Sequence, residues 1–94
     1  MKIDGFDWDA GNRTKCGRHG ILLEDIEHLF SLPHRIAPDV KHSDEEERFL
    51  AIGRHRDGHP MFVVFTTRHV EGKLMVRPIS ARYMHDKEFK RYDR

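Results

Sequence analysis

The chain predicts an α+β fold: two N-terminal helices packed on a four-stranded antiparallel sheet, with a C-terminal helix. Three observations predict it. Leu22, Leu23, Ile26, Leu29 and Phe30 recur at helical spacing. Between Arg48 and Arg82 the apolar runs are broken by Asp57-Gly58 and Glu71-Gly72, both turn-forming pairs. From Tyr83 to Arg94 the pattern returns to a charged helix anchored by Phe89 and Tyr92.

Taken in order, Asp9 is suited to cap a short helix over Ala10 to Arg18 that Gly20 stops, and Pro33 lies beyond the end of the second helix. Arg35 to Lys41 alternates loosely, and Pro38 fits an edge strand better than a sheet centre. His42-Ser43-Asp44 reads as a turn. Arg48 to Arg56 and Pro60 to Arg68 form a hairpin around Asp57-Gly58, and a second turn leads into Leu74 to Arg82.

Register decides which side chains share a face. A two-residue turn at Asp57-Gly58 sets Leu50 and Ile52 beside Phe65 and Val63. A three-residue loop closed by Gly72, with a bulge, aligns Val63 and Phe65 with Ile79 and Arg77, with Met75 and Ala81 nearby. That apolar face should receive the two helices. The opposite face then holds Phe49, Ala51, Gly53 and His55 with Phe62, Val64, Thr66, Arg68, Ser80 and Arg82. Arg68 and Glu47 meet at one end of it; Ser80, Arg82 and His55 gather around Gly53 and Phe62 at the other.

With 94 residues the chain is expected to be one domain, residues 1–94, with a compact core. The single cysteine, Cys16, excludes an internal disulfide and a multi-cysteine zinc site. Apolar runs are too short to span a bilayer, and none has signal-peptide form, so a reducing cytoplasm is expected. Residues 1–47 carry eleven acids and six bases, a net of −5; residues 48–94 carry five acids and eleven bases, a net of +6. Such segregation points to an anionic partner or to mutual neutralisation within the fold.

Hydroxyl and guanidinium groups at the ends of core strands suit phosphate chemistry. Arginine's planar fork grips two phosphate oxygens and stays charged at any cellular pH. RNA cleaves itself if its 2′-hydroxyl is deprotonated, the phosphorane charge is stabilised and the leaving 5′-oxygen is protonated, and no metal is required. Arg82 is the first choice for the charge-stabilising role and Arg68 the second, with an Arg68–Glu47 ion pair as the competing reading. Ser80 can bond a phosphate or pair with the next strand. His55, His19 and Glu47 are the candidates for proton transfer. His55 and His59 flank a turn rather than lie on a helix, so neither a metal nor a cofactor is expected. Trp8 can stack a base or plug the first helix, and Cys16 reads as a small packing residue.

Several motifs occur together: Phe6-x-Trp8-Asp9-x-x-Asn12 with Lys15 and His19-Gly20-Ile21; His42-Ser43-x-x-Glu46-Glu47-Arg48 with Ile52-Gly53; Val63-Val64-Phe65-Thr66-x-Arg68; and Arg77-x-Ile79-Ser80-Ala81-Arg82 with Glu88 and Tyr92. In this ordered set the chain resembles the BrnT toxins of type II toxin–antitoxin systems, a branch of the RelE-like ribonucleases, over essentially its whole length. The resemblance implies a bacterial, cytoplasmic endoribonuclease that cleaves RNA and inhibits translation. It implies a BrnA-like antitoxin whose ribbon-helix-helix part binds operator DNA in a two-plus-two complex, and it implies the same helix and sheet content as above. By matching position it nominates Arg68, Ser80 and Arg82 as catalytic, with Tyr92 as the terminal tyrosine. Leu23 departs from the pattern, standing where relatives usually offer a capping residue, and Tyr83-Met84-His85 lacks their basic start to the last helix. The alternative is a non-catalytic module that binds RNA or protein through the same sheet face, with an apolar patch on Phe49, Phe62, Val64 or the outer side of the helices as the footprint of a partner.

Overall fold

A computed structural model describes residues 2–32, 34–39 and 46–92. The elements run β1 (Gly5–Phe6), α1 (Ala10–Gly17), α2 (Leu23–Leu29), β2 (Arg35–Pro38), β3 (Phe49–Arg54), β4 (Pro60–Val70), β5 (Lys73–Tyr83) and α3 (Asp86–Lys90). The sheet has five strands in the order β1-β5-β4-β3-β2. The four expected antiparallel strands are therefore joined by β1, which pairs parallel with β5 through Gly5 with Met75 and Phe6 with Val76. Two residues carry no readable period, so only the free edge of β5 defines this strand. The expected His42-Ser43-Asp44 turn lies outside the described residues.

Local chemistry accounts for the helix ends. Asp9 caps α1 by accepting from the Asn12 N–H, while the Asn12 side chain accepts from the Asp9 N–H, a reciprocal capping box. α2 has Leu22 at its cap position and no side-chain cap bond; its stability comes from burying Ile26 and Leu29. α3 is shorter than expected, because Tyr83 still pairs with Met61 in the sheet and the helix starts only at Asp86.

Both hairpins differ from the expected register. The first is a three-residue loop: His55 N–H donates to His59 O at 2.7 Å, Gly58 adopts φ 97°, and Ala51 rather than Ile52 stands opposite Val63. That geometry is a type I turn followed by a left-handed glycine. Asp57 stabilises it by accepting from the His59 N–H, which is the chief cause of its carboxyl being lowered to about 2. The one-residue shift exchanges the faces of β3. Ala51 joins Met61, Val63, Phe65, Val76 and Ala81 against Cys16, Ile21, Ile26 and Leu29 of the helical layer. Ile52 turns to the second face, where it packs with Met84 and Phe89, flanked by Leu50, Phe62 and Tyr92.

The second hairpin is a two-residue turn, with Glu71 at φ 52° and Gly72 at φ 79°, so Val70 pairs with Lys73. From the turn to Pro78 the faces of β5 are reversed relative to expectation: Val76 and Pro78 point to the helices, Met75 and Arg77 away. A bulge between Pro78 and Ser80 then restores the phase, since Phe65 pairs with Pro78 but Val64 with Ser80. Proline, with no N–H for the ladder, belongs at such a break. Its carbonyl is taken by the Asn12 Nδ2 at 2.8 Å, and the same nitrogen donates to Asp7 O at 2.9 Å.

Cys16 is fully buried, and burial pushes its thiol up to about 11, as suits a packing residue. Trp8 packs on the main core and donates Nε1–H to Glu27 of α2 at 2.8 Å, plugging the helical layer. Among the described residues no helix is long and apolar enough to cross a membrane.

Asn12 is buried, and its side chain serves the Asp9 N–H and the Asp7 and Pro78 carbonyls, so Asn12→Ala strands two carbonyls and opens the cap. It is expected to destabilise the fold by about 2 to 3 kcal/mol, read from urea unfolding. An unchanged midpoint would show that the bulge does not depend on this side chain.

Candidate active site

Beyond the bulge, Ser80 and Arg82 emerge on the second face of the sheet, opposite Val64 and Phe62. They line one groove of about 340 Å³ whose floor is Leu50, Phe62 and Val64. The Arg82 guanidinium lies 4.4 Å above the Phe62 ring, a cation–π contact that fixes its plane. Its two terminal nitrogens each donate to a Glu88 oxygen at 3.4 Å, and one also reaches Tyr83 O at 3.3 Å. The side chain remains 46% exposed, so it is anchored without being enclosed. Glu88 is held below its ordinary carboxylate pKa, first by Arg82 and then by the His85 N–H, which it accepts at the start of α3. His19 and Asp39 complete the lining.

His19 comes from the turn after α1 and was legible as a candidate. Asp39 was not: it reaches the groove only because β2 pairs with β3 and continues through the bond from its N–H to Arg48 O.

Arg68 lies elsewhere. It stands opposite Met75, four residues along β4 from the partner of Ser80, which is about 13 Å at strand rise. Its Nε approaches Asp7 at 4.0 Å, and the expected pair with Glu47 is not among the ion pairs of the described residues. Glu47 instead accepts the Thr66 hydroxyl at its backbone carbonyl, 2.7 Å. Arg68 lines a second groove of about 580 Å³ with Lys15, Arg48 and Arg77 and with Asp9 and Glu46, the last 3.6 Å from Arg48. Arg77 is gripped there by Asp9 at 2.6 Å and Asp7 at 3.5 Å, which raises its already high pKa. Arg77 belonged to a recognisable motif, yet nothing local signals a partner some seventy residues away.

His55 is corrected more strongly. The face exchange in β3 turns it to α2, where Nε2 meets the buried Asp25 at 2.8 Å and the ring lies 5.7 Å from Tyr83. Arg56 binds the other Asp25 oxygen at 2.9 Å. His55 therefore does not gather with Ser80 and Arg82. His59 also packs on Tyr83, and among the described residues no group of three or more His, Cys, Asp or Glu side chains is placed to hold a metal ion. Tyr92 lies on the other flank of α3, lining a hollow of about 450 Å³ with Ile52 and Phe89. The expected exposed patch is divided: Phe49 packs against Phe65 at 5.6 Å, and Phe62 lies beneath Arg82.

A family model described as the ribonuclease toxin, BrnT, of type II toxin–antitoxin systems matches residues 8–88. No curated protein matches the chain.

The Arg82–Glu88 contact has a pH signature. A depressed carboxyl pKa gives a contribution present above the ordinary value of 4.5 and lost as pH falls through the lowered folded value. Carboxyl NMR should find the Glu88 midpoint below 4.5, and Arg82→Ala should move it upward; equal midpoints in the two proteins would dissolve the contact.

Proposed function

Because the chain belongs to the BrnT family of ribonuclease toxins of type II toxin–antitoxin systems, we propose that it is an endoribonuclease that cleaves RNA by metal-independent phosphodiester transfer in the groove of Ser80 and Arg82. One observation carries this reading: a half-exposed guanidinium, braced by Phe62 and Glu88, stands beside a hydroxyl in an open groove. In the reaction the 2′-hydroxyl loses its proton and forms a bond to phosphorus. The bond to the 5′-oxygen breaks, that oxygen takes a proton, and a 2′,3′-cyclic phosphate remains. Arg82 exchanges Glu88 for the phosphate oxygens and balances the charge that grows on the phosphorane. Ser80 donates a hydrogen bond to the same group. His19, which lines the same groove, moves the proton. Arg68, the third residue that the family resemblance nominates, acts on the same RNA from the neighbouring groove.

The family reading extends to partners. A BrnA-like antitoxin with a ribbon-helix-helix part would neutralise the protein in a two-plus-two complex and contact operator DNA, leaving the toxin to act on cytoplasmic RNA and inhibit translation when released.

The purified protein is expected to cleave a pooled RNA in the presence of EDTA and to leave cyclic phosphate ends. Arg82→Ala should fold, by circular dichroism, and lose about 100- to 1000-fold in rate, with a smaller loss for Ser80→Ala. Full activity in a folded Arg82→Ala protein would remove that residue from the mechanism; binding without any cleavage would leave a non-catalytic module. A ribbon-helix-helix protein encoded beside the gene is expected to co-purify in equal amount and to suppress growth arrest, and a toxin indifferent to it would refute the pairing.

A further inference from the structure

We propose that the groove beside α1 is a second phosphate subsite, so that the substrate is an extended single strand of RNA lying along β5 with Ser80 between two cationic groups. The inference rests on Ser80 and Arg82 being the reaction site. Arg82 lies two residues beyond Ser80, and Arg77 three residues before it on the same face, about 10 Å along the strand. Ile79, the bulged residue, lines the second groove and so joins the two.

The charges in that groove are unequally committed. Asp9 gives one oxygen to the cap of α1 and the other to Arg77 at 2.6 Å. Asp7 reaches Arg77 at 3.5 Å and is left only a 4.0 Å approach to Arg68, whose side chain is half exposed. Lys15 is exposed on the adjoining side of α1. Arg77 is thus a fixed post whose charge is matched, while Arg68 and Lys15 flank it with charge directed to solvent. Thr66, between the two grooves, is buried with its hydroxyl given to Glu47 O, so long cationic side chains rather than hydroxyls would meet a backbone there. Leu50 and Val64, the apolar floor beside Ser80, lie in the row of the sheet between Arg82 and Arg77. A flexible single strand can follow such a track with its phosphates on the arginines, whereas a duplex presents a rigid cylinder.

The test uses 2′-O-methyl oligoribonucleotides of mixed sequence, which cannot react, as a trinucleotide and a dodecanucleotide in fluorescence anisotropy over a range of salt. The wild-type protein is expected to bind the dodecanucleotide more tightly. Lys15→Glu and Arg68→Gln should each weaken that binding about tenfold, with a several-fold smaller loss on the trinucleotide, and lower the salt slope by about 0.7 for each phosphate no longer neutralised. Arg68→Lys, which keeps the charge, should retain most of the affinity. Equal losses at both lengths, no loss, or no binding of the dodecanucleotide would overturn the subsite. Tighter binding of polyglutamate would overturn it in favour of an acidic protein segment. A protein that cleaves RNA yet shows no such length effect loses the subsite alone, and one with the length effect but no cleavage under any condition loses the nuclease reading alone.

Discussion

The bulge that follows Pro78 is the constraint on which the second face depends, and the Asn12 side chain pins it. One buried amide closes the cap of α1 and takes the carbonyls of Asp7 and Pro78, so the first helix is tied to the strand where the strand changes phase. A β-strand alternates strictly, and the two-residue turn at Glu71-Gly72 would by itself send Ser80 and Arg82 toward the helices. There Arg82 would lose both the Phe62 ring and Glu88 that brace it. The inserted Ile79 shifts the phase, buries Ala81 and delivers the hydroxyl and the guanidinium to solvent.

Electrostatics follow the same geometry. The acidic first half and basic second half neutralise one another in part: Asp7 and Asp9 meet Arg77 and Arg68, and Asp25 meets His55 and Arg56. Much of the charge segregation in the sequence is therefore spent inside the fold. What remains around the two grooves is a smaller set, Arg82 on β5, Arg68 on β4 and Lys15 on α1, spread over two strands and one helix. The exposed pairs of Arg82 with Glu88 and Arg68 with Asp7 contribute little to stability; their consequence is the orientation of each guanidinium.

α3 adds a second constraint on Arg82. Phe89 seats the helix on Ile52 and Phe62, Glu88 extends from the first turn to the guanidinium, and the same Phe62 ring supports Arg82 from below. The terminal helix and the arginine thus share one apolar platform. On the proposed reading a phosphate in the groove competes with the Glu88 carboxylate for Arg82, which would couple the placement of α3 to binding there.

The sequence by itself determined the kinds of element, their order, the two hairpins, the cap at Asp9, the packing role of Cys16 and the family motifs carrying Ser80 and Arg82. Periodicity and turn chemistry are local, and they are read within a window of a few residues. Only the tertiary structure decided the phase. A period of two reports alternation but not which parity faces the core, so one extra loop residue at Gly58 exchanged Ile52 for Ala51 and drew His55 away to Asp25. The bulge at Ile79 cancelled the error for Ser80, Ala81 and Arg82. The parallel strand β1, the approach of Asp39 and the distance between Arg68 and Arg82 likewise arise from partners far apart in the chain, and no local pattern encodes contacts that exist only once the sheet has closed.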